Sequence, residues 1–504
     1  MNIKQAKEEI INTVRAYTKK DASGEYEIPV ERQRPILLIG PPGIGKTAIM
    51  EQVAQECGIN LVSYTITHHT RQSAIGLPFI ESREYGGKPY KVTEYTMSEI
   101  IASVYDQIEK SGVKEGILFL DEINCVSETL APTMLQFLQY KTFGTHRVPD
   151  GFIIVTAGNP PQYNKSVRDF DIATLDRVKK INVEENFDVW KEYAYKMGIH
   201  GSIMAYLEIR KENFYSIRTE VEDRYFVTAR GWEDLSRIIS VYEELHIPVT
   251  ADLAVQYIQD PKIAEDFATY YELYNKYKNI YRIPDVLQGV MPADQTKIKN
   301  SPFDEKLSLI SLLIDSLNGE FRGYAQEKAV QENLFHALQQ FRSDLKSGRG
   351  RGAQLLSDGI SAREEGLKKK VDAKMISRAD AQTERLAIAA LKDLQREMTL
   401  SQGSDAKADF LTAKNWFAGR EEKRQKAIQT AGSHLTNAFS FMANVFGEGQ
   451  EMVIFLSALT AGYYSLQFVS ECGNDAYYHY NKLLLLKDRR EALRQEILDL
   501  GDLN

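Results

Sequence analysis

Apolar residues follow two patterns along the chain. Short, mostly apolar runs occupy 35–39 (PILLI), 61–66 (LVSYTI), 117–120 (ILFL) and 152–156 (FIIVT). Runs of this kind read as strands of a parallel sheet buried on both faces. Between them the period changes to that of a helix, at 47–57, 97–110 and 128–139. A leading amphipathic helix precedes the first run, its stripe made by Ile3, Ala6, Ile10, Val14 and Tyr17. Strand and helix alternate through the first third of the chain, which predicts an α/β fold with helices on both sheet faces.

From about residue 187 the strand runs stop and helical patterns take over, at 189–197, 203–210 and 231–244. A helix is expected over 302–317, with Ser301 as its cap, Pro302 at the first helical position, Asp304 in the first turn and Gly319 as its stop. Further helices are expected at 326–345 and 487–500. The glycine-rich 347–352 (SGRGRG) reads as a flexible linker. Residues 452–470 carry no charge, close to the length of a bilayer span, yet serines, a threonine, a glycine, a glutamine and two tyrosines interrupt them. They are read as one buried core helix, and no membrane span is expected. The expected organisation is a nucleotide-binding α/β core over 1–183, a helical lid over 184–246, a helical region over 247–346 and a helical C-terminal region over 353–504.

Composition narrows the function. With 504 residues, 43% apolar and 26% charged, the chain falls in the soluble globular range and is long enough for about three domains. A net charge of -8 argues against a protein devoted to neutralising phosphate backbone, so nucleic acid is not an expected partner. Cys57, Cys125 and Cys472 are too few and too scattered for a disulfide framework or a zinc site. Together with an N-terminus that lacks the pattern of a signal peptide, they point to a cytoplasmic protein. Neither HExxH nor GxSxG occurs among the sequence motifs.

The chemistry gathers at the ends of the apolar runs. Gly40-Pro41-Pro42-Gly43-Ile44-Gly45-Lys46-Thr47 follows the first run and opens a helix, the context a phosphate-binding loop requires. There the glycines let backbone amides cradle an anion, Lys46 reaches the terminal phosphates and the Thr47 hydroxyl ligates magnesium. The third run ends in Asp121-Glu122, two acids with separate tasks: Asp121 holds the magnesium, and Glu122 polarises the attacking water. The fourth run exits through Gly158 to Asn159, whose amide is suited to orient that water or simply to make a turn. Arg177, in Leu175-Asp176-Arg177, is either a stabiliser of phosphoryl charge supplied across a subunit boundary or a surface partner of Asp171 or Asp176. Arg230 begins a lid helix and is either a nucleotide contact or a surface charge. Thr18-Lys-Lys-Asp21 fits the base-reading TKxD pattern of GTPases but precedes the phosphate loop, where that element does not belong, so ATP with Mg2+ is the expected cofactor pair.

The ordered series GPPGIGKT, ILFLDEIN, TAGNP, LDRV and TARGW resembles the AAA+ ATPases over roughly residues 30 to 240, and within them the MoxR-like group, whose second motif takes the DEIN form. The resemblance implies a P-loop NTPase core with a helical lid, Asn159 as sensor 1, Arg177 as arginine finger and Arg230 as sensor 2. It also implies a pore-facing insert, matched here by 75–81 and 88–95 around Gly86-Gly87, which look like the two strands of a hairpin. LDRV stands where LDRF is commoner, with the arginine kept. The function implied is remodelling of a protein client by a homo-oligomeric ring of six, with a partner carrying a von Willebrand factor A domain. The competing expectation is a nucleotide-gated scaffold with slow regulatory hydrolysis. A nucleic-acid motor is disfavoured by net charge and by the lack of a basic aromatic run. About 250 C-terminal residues have no counterpart in the family.

Overall fold

The computed structural model describes residues 1–483 except 69, 164–166, 168–169, 220–223, 349, 374 and 402–405. The chain divides into two compact units, Met1–Val189 with Ala362–Gln382, and Trp190–Ser361 with Thr383–Asn504.

The first unit is built on a five-stranded parallel sheet of β1 (Ile36–Ile39), β2 (Asn60–Thr65), β3 (Gly116–Asp121), β4 (Phe152–Gly158) and β5 (Lys179–Asn182), in the order β2-β3-β4-β1-β5. The apolar runs become strands because both sheet faces are covered: every residue of β4 is buried, and so are Ile117 to Leu120 of β3. β1 lies between β4 and β5, so the chain leaves the sheet after Ile39 with neighbours on each side. This is where the strand order switches direction and where a doubly wound sheet binds its ligand. The leading helix forms over Ile3–Thr18 and buries Ala6, Ile10 and Val14, as its stripe predicts.

The stretch between β2 and β3 contains an antiparallel hairpin, Pro78–Tyr85 against Lys88–Tyr95, turning at Gly86 and Gly87. Nearly all of its side chains are exposed on both faces, including Phe79, Ile80, Tyr85 and Tyr90.

The second unit is largely helical, with four departures from the sequence reading. Strands do not stop at residue 187: Ser216–Thr219 pairs antiparallel with Arg224–Val227, since Ile217, Tyr225 and Phe226 favour extended backbone. Gly319 stops nothing. The helix starts at Phe303, with Pro302 as its N-cap, and runs to Lys346, absorbing the two helices expected at 302–317 and 326–345. A glycine inside a helix costs about 1 kcal/mol, less than burying Leu317 and Phe321 on either side of it contributes. The SGRGRG stretch is not a free linker at its far end. Gly352 is buried, opens the helix Gly352–Asp372 and donates its amide to Asp409 Oδ2 at 2.9 Å.

Finally, the uncharged 452–470 is not one helix but two, Gln450–Ala461 and Tyr463–Cys472, bent by 85°. Ser465 Oγ donates to the carbonyls of Leu459 and Gly462 at the bend, and Phe455, Leu456, Leu459 and Phe468 enter the unit's core. Among the described residues no single helix is long and apolar enough to cross a membrane. The helix expected at 487–500 lies outside the described residues.

Candidate active site

The loop after β1 takes the shape its glycines permit. Gly43 and Gly45 adopt φ of 75° and 95°, left-handed conformations that cost other residues strain, and the space where a Gly45 side chain would stand is open. The helix Lys46–Cys57 begins directly after, so its unpaired N-terminal amides and positive dipole end face the loop. Lys46 is only 8% exposed. Its ammonium donates to the carbonyls of Gly40 at 2.8 Å and Pro41 at 2.7 Å and to Asn159 Oδ1 at 2.9 Å.

Next to it, Thr47 Oγ1 donates to Asp121 Oδ2 at 2.8 Å. A hydroxyl beside a carboxylate at the end of a parallel strand is a hard-oxygen donor set, which suits Mg2+ rather than a softer metal. The open loop, the buried ammonium and this oxygen pair together fit a nucleotide triphosphate with its magnesium.

Asp121 Oδ1 accepts the amide of Glu122 at 2.9 Å. Glu122 itself sits at φ 57°, ψ 35°, left-handed backbone that a glutamate adopts at a cost of about 1–2 kcal/mol. The turn swings its carboxylate away from the strand line, and Oε2 accepts from Thr67 Oγ1 at 3.0 Å, in the short turn that follows β2. Thr67 was not singled out by the sequence; it is one of several threonines in TITHHT, and only the pairing of β2 with β3 brings it to Glu122.

Hydrogen bonds join Lys46 to Asn159 and, separately, Thr47 and the Glu122 amide to Asp121, and the two sets meet through the adjacent Lys46 and Thr47 at one strand-end crevice. Asn124 joins them from below. It is 5% exposed, and its Nδ2 donates to the backbone carbonyl of Asn159 at 2.8 Å.

Arg177 lies elsewhere on the same unit. The parallel register sets Ile36 opposite Lys179 and Ile39 opposite Asn182, so Arg177, two residues before Lys179, stands at the strand-start edge of the sheet. The phosphate loop leaves from the opposite edge, roughly 15 Å further along at about 3.3 Å per residue. Arg177 is exposed and borders a cavity of about 290 Å³ between the helices Ala131–Tyr140 and Ile172–Leu175, with Pro132, Gln136, Asp171 and Thr174 also on its wall. Asp171 caps the second of these helices: the Thr174 hydroxyl and amide hold its carboxyl below the ordinary carboxylate range, with a smaller pull from Arg177. Arg230 belongs to the second unit, exposed in the first turn of the helix Ala229–Glu244, which Thr228 caps through the amide of Gly231 at 3.2 Å.

Residues 36–180 match the family described as "ATPase family associated with various cellular activities (AAA)". They form an AAA ATPase domain, whose chemistry is the hydrolysis of ATP with Mg2+. Among curated proteins, the chain is similar to replication factor C large subunits. That of Pyrobaculum aerophilum is 26% identical over 207 residues, 40% of this chain and 42% of the relative. That of Pyrobaculum calidifontis is 24% identical over 199 residues, 38% of this chain and 40% of the relative. The matches therefore span less than half of these relatives' length.

Proposed function

We propose that the chain, through its AAA ATPase domain, is an ATP hydrolase that works as a ring of identical subunits and uses ATP turnover to remodel a protein client. The observation that supports it most directly is the crevice in which Lys46, Thr47, Asp121, Glu122 and Asn159 meet.

In this reading the Gly40–Thr47 loop and Lys46 hold the phosphates, and Thr47 and Asp121 hold the magnesium. When bound, the magnesium draws charge from the phosphate oxygens and so eases departure of the diphosphate. Glu122 accepts a proton from the attacking water as its oxygen bonds to the terminal phosphorus and the bond to ADP breaks. Asn159 orients that water, while its hydrogen bond to Lys46 keeps the amide and the ammonium at a fixed separation. Arg177, at the sheet edge remote from its own loop, serves a neighbour's nucleotide, and Arg230 takes the sensor 2 role that the family resemblance implies.

The finer reading is a MoxR-like machine in the cytoplasm: a hexamer that presents the exposed hairpin to its client and pairs with a protein carrying a von Willebrand factor A domain. Its support is the DEIN motif and the placement of the hairpin between β2 and β3. Glu122→Gln tests the hydrolase reading. The amide keeps the shape and removes the base, so Mg·ATP binding should persist while hydrolysis falls by roughly 100-fold or more. Turnover near the parent rate would remove Glu122 from that role. Stimulation of turnover by a von Willebrand factor A protein tests the client reading.

A further inference from the structure

We propose that Asn124 is a positioning residue for hydrolysis: by pinning the backbone carbonyl of Asn159 it sets the Asn159 amide against Lys46. The inference rests on the hydrolase reading above and adds to it a residue that acts through Asn159.

The argument begins with the turn at Glu122. Left-handed backbone there is followed by a tight turn over Ile123–Cys125, closed by the Cys125 amide donating to the Glu122 carbonyl at 2.9 Å. The turn carries Asn124 back beneath the end of β4, where it is buried. Its Nδ2 reaches the Asn159 carbonyl at 2.8 Å, and Asn159 Oδ1 in turn accepts from Lys46 at 2.9 Å. One chain of hydrogen bonds therefore runs from the acid-bearing turn to the residue after β4 and on to the phosphate loop.

Two features show that this contact is fitted. The first is Gly158: a Cβ there would lie 2.4 Å from Asn124 Oδ1, so any other residue would expel the Asn124 side chain. Gly158 is itself fixed, paired with Ile39 in the sheet and accepting the Gly40 amide at 3.3 Å. The second is Asn124 Oδ1, which is buried and has no hydrogen-bond partner among the described residues. Leaving a buried acceptor unpaired costs about 1–3 kcal/mol. A residue that only filled space would do better as an apolar side chain of the same size. The donor end is what this position requires, and the unpaired oxygen accompanies it.

Asn124→Asp keeps the shape and removes the donor; Asn124→Ala removes both. In each, kcat should fall roughly 10- to 100-fold, the scale of misplacing a reacting group by about 1 Å, with KM for ATP changed less than about twofold. The decisive measurement is a double-mutant cycle in the full-length protein. In an Asn159→Ala background, Asn124→Ala should cost nothing more, because the residue it positions is gone. Multiplicative losses in the double variant, or an unchanged kcat in the single ones, would overturn the proposal. A crystal structure of Asn124→Asp gives a readout independent of turnover: the Lys46–Asn159 hydrogen bond should be lost, and its survival would also overturn the proposal. Failure of the hydrolase reading looks different, as a parent protein whose Mg·ATP turnover is insensitive to Glu122→Gln.

Discussion

Thr67 Oγ1 donates a 3.0 Å hydrogen bond to Oε2 of Glu122, across the β2–β3 pair that brings the two turns together. The bond restrains a long side chain that starts from strained backbone and would otherwise sample several rotamers. Only one carboxylate oxygen is engaged by it, so the other is left to receive a proton. Thr67→Val keeps the volume and removes the donor; kcat should drop by roughly 3- to 10-fold with nucleotide affinity intact, and Thr67→Ser should restore most of it. Steady-state kinetics across the three proteins decide the matter, and equal kcat in parent and valine variant would show that the contact has no part in hydrolysis.

The position of Arg177 gives a test that needs two variants at once. It stands at the strand-start edge, too far from its own loop for an arginine side chain to reach. Arg177→Ala should therefore leave ATP binding nearly unchanged and reduce turnover by roughly 10³-fold or more, as removal of an arginine finger does. Lys46→Ala disables a subunit's own pocket and leaves its Arg177 available. Mixed together, the two inactive proteins should recover measurable ATPase activity from the sites that combine an intact loop with a neighbour's arginine. Absence of recovery in rings shown by mass spectrometry to be mixed would exclude a role in trans.

The parts of the site that were legible in the sequence are those where geometry restricts residue type. A loop that turns at Gly43 and Gly45 and opens a helix at Lys46 tolerates few alternatives, and Asp121-Glu122 at the end of an all-apolar strand stands out against its surroundings. Thr67 stayed hidden because its role depends on which strands pair. Asn124 was visible only as a letter of DEIN, since nothing local says that its amide will reach Asn159. In the fold, Lys179–Asn182 buries only Ile181 and has no apolar run, whereas the other four of the five sheet strands follow from their apolar runs. The helix through Gly319 and the break at Gly462 do not, because propensity and hydropathy are local quantities while both outcomes are set by packing in the second unit's core. Gly319 is carried through by the buried residues around it, whereas Gly462 is fixed by the Ser465 hydroxyl bonding back to its carbonyl and that of Leu459.

Lys141 offers a prediction about stability. It ends the helix Ala131–Tyr140 at φ 57°, is 6% exposed, and donates its ammonium to the carbonyl of Val30 at 2.8 Å. Burial first, and then the charge of Arg147, bring its pKa down from the ordinary 10.5 to about 8. Below pH 8 the lysine is protonated in both folded and unfolded chains, and the folded state bears the full cost of burying the charge. Between about 8 and 10.5 the unfolded chain still holds the proton while the folded one has released it, so this group's contribution to stability rises with pH over that window. Lys141→Met removes the effect; Val30 keeps a donor, because the Gln33 amide also reaches its carbonyl at 3.3 Å. At pH 7 the methionine variant should be the more stable by roughly 1–3 kcal/mol, and the advantage should shrink toward pH 10. Tryptophan fluorescence would miss the change, since Trp190, Trp232 and Trp416 all belong to the other unit. Hydrogen exchange of the sheet amides in denaturant, compared at pH 7 and pH 9.5, reports on the right unit. An advantage equal at both pH values would show that Lys141 stays charged in the fold across this range.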